Sequence, residues 1–184
     1  MALTISNEFP VGTIAPEFNL LNTIDDKFYS LKELQGFTGT VILFICNHCP
    51  FVIHINDELV NIANEYKSRG VNFIAISSNE IDNYPQDGPK FMKKVALKLD
   101  YSFPYLFDET QQVAKSYSAA CTPDFYVFDA NLISVYHGQL DDSRPSNGLL
   151  VSGKDIRTSL DNIILKKPAI IDQKPSMGCG IKWR

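Results

Sequence analysis

Two apolar runs, Val41-Ile42-Leu43-Phe44-Ile45 and Val71-Asn72-Phe73-Ile74-Ala75-Ile76-Ser77, stand out from the polar background of this chain. Each is short, rich in β-branched or aromatic residues and nearly continuous, the pattern of a strand covered on both faces. Between them Val52, Ile55, Leu59, Ile62, Ala63 and Tyr66 recur at helical spacing, and Lys67-Ser68-Arg69-Gly70 brings basic residues and then glycine to the exit. Strand, helix and strand in succession predict a right-handed crossover and a parallel pair. The spacing predicts further helices over 89–99 and 108–117, and a strand followed by a helical turn over 28–34. Apolar segments 125–129 and 133–137, joined at Ala130-Asn131, predict an antiparallel hairpin. Ser152-Gly153-Lys154-Asp155 has the form of a capping box before Ile156, Leu160, Ile163 and Ile164, a last helix ending near Lys166-Lys167-Pro168. A parallel pair combined with a hairpin makes a mixed central β-sheet flanked by helices, an α/β fold. The expected organisation is one domain over 1–167 and a tail over 168–184 rich in proline and glycine.

Composition narrows the function classes. The chain has 184 residues, 45% hydrophobic and 21% charged, enough for a core that needs no disulfide staples. A net charge of -4 with scattered lysines offers no general attraction to nucleic acid or to an anionic membrane. No segment approaches the ~20 apolar residues of a membrane span, and the N-terminus lacks the basic and apolar regions of a secretory signal. The expected compartment is therefore the cytoplasm, where four cysteines serve as redox-active, catalytic or inert thiols more often than as structural bridges.

The chemistry concentrates in Cys46-Asn47-His48-Cys49-Pro50, between an expected strand and an expected helix. Two thiols two residues apart at such a turn can close a small disulfide ring, and a helix N-terminus favours the thiolate that does nucleophilic work. In a β-α setting the C-x-x-C reads as a redox motif. Two other readings use the same atoms. Both sulfurs could be packing atoms, because free cysteine behaves as a small hydrophobe. They could instead bind metal with His48 and His54, but the second ligand pair usual in zinc sites is missing, His137, Cys121 and Cys179 being distant in sequence. No metal and no cofactor is expected.

The order of elements, with C-x-x-C heading the first long helix and Thr122-Pro123 preceding the hairpin, resembles a thioredoxin-like fold. That resemblance implies a cis Thr122-Pro123 bond packed beside the cysteines, presenting backbone groups to an extended substrate. The longer similarity is to the redoxin branch, the alkyl hydroperoxide reductase and thiol-specific antioxidant family, whose N-terminal extension Val11-Gly12-Thr13-Ile14-Ala15-Pro16-Glu17-Phe18-Asn19-Leu20 resembles. Phe44 to Val52, Ala119 to Phe125, Gly138 to Pro145 and Gly178-Cys179-Gly180-Ile181-Lys182-Trp183 are similar to a peroxiredoxin-like group of that branch carrying C-N-H-C-P. The chain departs from the peroxiredoxin motif P-x-x-x-T-x-x-C. With Cys49 at the peroxidatic position, Ile42 replaces the proline and Cys46 the threonine, and the family's arginine falls near Pro123. The donors that stabilise charge during O–O cleavage are then missing.

The expected function is a thiol-disulfide oxidoreductase in which Cys46 attacks as thiolate and Cys49 resolves, supported by His48, Thr122 and Pro123. One alternative is a peroxide-reducing antioxidant passing through a cysteine sulfenic acid, with Cys121 or Cys179 as additional redox thiol. The other is a metal chaperone using Cys46, Cys49 and a histidine. The expected partners are protein or small-molecule thiols and disulfides, or peroxides, with no nucleic acid and no membrane; the oligomeric state is not legible. Asp141-Asp142-Ser143-Arg144-Pro145 reads as a solvated loop with a local Asp-Arg contact, or else as a rim of the redox site. The tail is expected to fold back, anchored by Ile181 and Trp183.

Overall fold

A computed structural model describes residues 3–184; Met1 and Ala2, which open the expected domain 1–167, lie outside the described residues. Seven strands form the main sheet: β2 (Asn19–Asn22), β3 (Lys27–Ser30), β4 (Gly39–Phe44), β5 (Val71–Ser77), β6 (Tyr105–Phe107), β8 (Asp124–Asp129) and β9 (Ser134–Gly138). Their spatial order is β3-β2-β6-β5-β4-β8-β9. β4, β5 and β6 run parallel, while β8 and β9 on one side and β2 and β3 on the other are antiparallel to their neighbours. The sheet is mixed, with β4 in its interior. A three-stranded sheet is built from β1 (Leu3–Ile5), β10 (Met177–Gly180) and β7 (Cys121–Thr122), in the order β1-β10-β7.

The continuous apolar run of β4 is explained by its two covered faces. Val41, Leu43 and then Ile45 pack with Ile55, Leu59 and Ile62 of α2 (Pro50–Lys67), Met92 of α3 (Pro89–Lys98) and Ile156 and Leu160 of α5 (Lys154–Ile164). Ile42 and Phe44 point the other way, toward Leu31 of α1 (Leu31–Leu34), Ala114 of α4 (Gln112–Ser116), Tyr117 and the N-terminal Phe9 and Phe18. Among the described residues, no helix is long and apolar enough to cross a membrane.

Local chemistry moves several boundaries from their expected places. The helix expected over 108–117 begins at Gln112, because the buried Asp108 carboxylate takes the Ala114 N–H and the Ser78 hydroxyl, leaving Gln111 left-handed at φ 62°. The capping box expected at Ser152 does not form. Gly153 is the N-cap of α5 at φ 63°, with no side-chain cap, and the Asp141 carboxylate instead accepts the Ser152 and Gly153 N–H groups. A β-carbon on Gly153 would lie 2.1 Å from Ile62 Cδ1, so glycine meets both the backbone angle and the approach to α2. A capping box is present at α1, where Ser30 and Glu33 exchange hydrogen bonds. The turn at Ala130-Asn131 is held by the Asp129 carboxylate, which accepts from the Asn131 and Ile133 N–H groups. The pattern left β6 unassigned; its three residues are too few to show a period.

The segment 168–184 returns to the body of the protein. β10 lies antiparallel between β1 and β7, with Cys179 opposite both Leu3 and Thr122. Ile181 is buried and its N–H reaches the Ala120 carbonyl, whereas Trp183 is 42% exposed beneath Lys115, so the anchoring contribution belongs to Ile181. Gly178 lies so close to β7 that a β-carbon there would stand 2.0 Å from the Thr122 carbonyl oxygen. Gly178→Ala is expected to lower unfolding free energy by about 1–3 kcal/mol through overpacking, measured by urea denaturation; unchanged stability would mean that β10 sits less tightly.

Candidate redox site

Both candidate cysteines lie where β4 gives way to α2. Cys49 is itself the N-cap of α2, with extended backbone at φ −71° and ψ 120°, and its carbonyl accepts the Val52 and Ile53 N–H groups. Pro50 at the first helical position suits this entry, since a proline there removes only an N–H that the helix leaves unpaired. Cys46 stands three residues upstream, in the turn. Both residues are buried, at 1% and 0% exposure.

The Thr122-Pro123 peptide is cis, as the resemblance implied, and Thr122 bridges the pair. Its hydroxyl is 3.5 Å from Cys46 Sγ and its carbonyl oxygen 3.2 Å from Cys49 Sγ. Cys179, approached from β10, places its sulfur 2.9 Å from Cys49 Sγ. Cys121 is also buried and lies opposite Gly180, with its sulfur 4.0 Å from the Pro123 carbonyl oxygen. Four cysteines that are scattered in sequence therefore converge on one cis-proline.

The surroundings of the two sulfurs differ, and the difference bears on which of them would carry a thiolate. The hydrogen bond from Cys46 holds Cys49 below the ordinary thiol range; burial opposes it, and contacts with Cys179, Thr122 and the Val52 N–H add to it. Cys46 is pushed up, first by the hydrogen bond to Cys49, then by burial and by the Asp87 carboxylate. The Thr122 carbonyl beside Cys49 favours a protonated thiol, but it is one acceptor against several donors at a helix N-terminus. The balance of these groups favours charge on Cys49 over charge on Cys46. Burial first, and then the nearby Asp124 carboxylate, push the Cys121 thiol up.

His48 is held by residues that the sequence pattern did not mark. Its Nδ1 is 2.6 Å from Asp87 Oδ2, its ring stacks on Tyr84 at 5.3 Å, and Cys46 Sγ is 3.9 Å from the same nitrogen. Asp87 is fully buried and also accepts from the Asn47 N–H and the Asn79 amide. Asp87 lies in a short 3₁₀ turn, Pro85–Asp87, where a polar sequence gives no sign of burial. Ligand atoms of Cys46, His48 and Asp87 lie within 4.8 Å of one another, the grouping nearest to a metal site. The Asp87 oxygens already serve three donors. His54 instead pairs with Ser143 and His137 with the buried Asp124, so neither joins the cysteines.

The segment 141–145 is not a solvated loop with an Asp-Arg pair. Asp141 is buried and accepts the Ser152 and Gly153 N–H groups ahead of α5, Asp142 pairs with Lys174, and Arg144 donates to the Asp141 and Ser143 carbonyls and to Gln139. Arg144 does share a cleft with Pro123, Phe51 and Met177, which puts this loop at the rim of the site.

A mixed sheet with paired thiols at a helix N-terminus and a cis-proline opposite defines a redoxin of the thioredoxin superfamily. The family model for AhpC/TSA matches residues 11–136, and the chain belongs to that family. It is similar to the crystal structure of an uncharacterised conserved protein from Geobacillus kaustophilus, at 55% identity and TM-score 0.98 over 100% of this chain and 97% of that one. A hypothetical protein from Sinorhizobium meliloti matches at 39% identity and TM-score 0.96, covering 98% of each chain. The thioredoxin domain of a thiol-disulfide oxidoreductase from Bacteroides vulgatus shares the fold, at 16% identity and TM-score 0.60 over 74% of this chain and 91% of that one. A search of curated proteins finds no match.

Ultraviolet thiolate absorbance followed against pH is expected to show one early transition per molecule. It should vanish in Cys49→Ser and move to higher pH in Cys46→Ala, because the neutral donor that stabilises the charge is gone. Loss of the transition in Cys46→Ala with its survival in Cys49→Ser would reverse the assignment. Asp87→Ala, which orphans the buried Asn79 amide, is expected to cost about 1–3 kcal/mol in urea denaturation; a neutral effect would remove Asp87 from its organising role.

Proposed function

We propose that the protein is a thiol-disulfide oxidoreductase that cycles Cys46 and Cys49 between dithiol and disulfide. The observation that carries this reading is a pair of buried sulfurs at the N-terminus of α2, both in contact with Thr122 of the cis Thr122-Pro123 peptide. Cys49 attacks one sulfur of a substrate disulfide, forms a mixed disulfide and releases the first substrate thiolate. Cys46 then gives its proton to that thiolate and attacks Cys49 Sγ, expelling the second substrate half. The net change is one disulfide reduced to two thiols and one protein dithiol oxidised. The reverse sequence oxidises a substrate. Asp87 and Tyr84 hold His48 and the turn bearing Cys46 in place for the second attack.

A second reading, peroxide reduction at Cys49, is supported by surroundings that favour a thiolate on that residue and by the shielding of both sulfurs, which suits a small oxidant. Against it, the hydrogen bonds of Arg144, which lines the Pro123 cleft, are directed to Asp141, Ser143 and Gln139. The guanidinium is thus committed to its own loop, and the charge that develops on a departing oxygen lacks this donor.

Reduced protein mixed with a model disulfide and, separately, with hydrogen peroxide tests the two readings. Disulfide turnover should dominate, nonreducing peptide mapping should find a Cys46–Cys49 bridge, and Cys49→Ser should fall to the background rate. Faster peroxide consumption, with a sulfenic acid trapped at Cys49, would overturn the exchange reading in favour of the second.

A further inference from the structure

The thiol pair has a third sulfur against it, supplied from the far end of the chain. Cys179 Sγ lies 2.9 Å from Cys49 Sγ, across a sequence separation of 130 residues. Cys49 thus touches two thiols, Cys46 within its own motif and Cys179 from β10. The position of Cys179 is set by regular backbone pairing. It stands opposite Thr122 in the β10–β7 ladder, and the Thr122 carbonyl is the group that contacts Cys49. On either side β10 is fixed by buried groups. The Ser176 hydroxyl donates to the Gly138 carbonyl at 2.6 Å, and the Ile181 N–H to the Ala120 carbonyl at 3.0 Å. Gly178 permits an approach to β7 that any side chain would block.

We propose that Cys179 is a third redox thiol, which takes over the Cys46–Cys49 disulfide by intramolecular exchange to give a Cys49–Cys179 disulfide and a reduced Cys46. This rests on the exchange reading above, which supplies the first disulfide. In the step, Cys179 gives up its proton and its sulfur attacks Cys49 Sγ. The Cys46–Cys49 bond breaks, and its electron pair goes to Cys46, which takes up a proton. One S–S bond forms, one breaks, and the protein's oxidation level is unchanged.

The surroundings of Cys179 respond to the oxidation state of the motif. Burial is the main cause of its raised pKa, followed by the hydrogen bond and charge of Cys49, while Lys182 favours the thiolate. Once Cys49 enters a disulfide its negative charge is gone, and two of the causes that keep Cys179 protonated go with it. Oxidation of the motif thereby prepares the third thiol to react. The product places the bridge under β10 and returns Cys46 as a thiol beside His48. The two oxidising equivalents of the disulfide are then stored in the interior, with Cys46 returned to the thiol form.

Acid quenching of full-length protein at intervals after mixing with one equivalent of a small model disulfide, followed by alkylation and nonreducing peptide mapping, tests the proposal. In wild type a Cys46–Cys49 bridge should form first and a Cys49–Cys179 bridge should follow. Cys46→Ser should resolve its Cys49 mixed disulfide through Cys179, giving the Cys49–Cys179 bridge alone. The double variant Cys46→Ser with Cys179→Ser should keep the mixed disulfide, with circular dichroism confirming that it is folded. A wild type that stops at Cys46–Cys49, together with a Cys46→Ser mixed disulfide as durable as that of the double variant, overturns the Cys179 role and leaves the exchange reading intact. Failure of every protein to react with the disulfide overturns the exchange reading, and this proposal with it.

Discussion

A negative charge on sulfur inside a protein costs several kcal/mol unless donors reach it, and the arrangement around Cys49 answers that constraint. Cys46, Cys179 and the Val52 N–H all favour the thiolate, and the N-terminus of α2 adds its positive end. None of these groups is close to Cys49 by accident of composition. Cys46 is brought by the turn after β4, Val52 by the first turn of α2, and Cys179 by a strand from the opposite end of the chain. The three-stranded sheet, small as it is, belongs to the chemistry as much as the seven-stranded one does.

The Cys46 side of the pair follows a different logic. There the nearest ionisable neighbours are His48 and a carboxylate, Asp87, which is fully buried and accepts hydrogen bonds from Asn47, His48 and Asn79. A carboxylate near a thiol discourages a second negative charge, so Asp87 disfavours ionisation of Cys46. The asymmetry between the two sulfurs comes from their surroundings, donors on one and a carboxylate near the other, with burial common to both.

Membership of the AhpC/TSA family fixes the class of chemistry more firmly than the substrate. A fold hosts many activities, and the choice among them is made by the groups that touch the reacting atoms. Here those groups are sulfur, hydroxyl and backbone, with the guanidinium at the rim turned to its own loop. Both sulfurs are also shielded, so a bulky substrate requires local opening of the turn 46–49 or of β10.

The elements with a clear period were legible from the residues alone: β4 and β5 as buried runs, α2 from its apolar spacing, the hairpin of β8 and β9, and the C-x-x-C between strand and helix. These features depend on interactions between near neighbours in the chain or on a face that must be covered, and both leave a pattern in sequence. The capping box at Ser152 failed because the Asp141 carboxylate takes the Ser152 N–H and the Leu140 carbonyl takes the Asp155 N–H. Cys46 was expected to lie nearer the helix start, as judged from the motif; the N-cap is Cys49 itself. Asp87 and Tyr84 could not be read at all, since a polar residue gives no local sign that it is buried. The meeting of Cys179 with Cys49 was decided by strand pairing between β10 and β7, a long-range register that no residue near Cys179 encodes except the glycine that lets the two backbones approach.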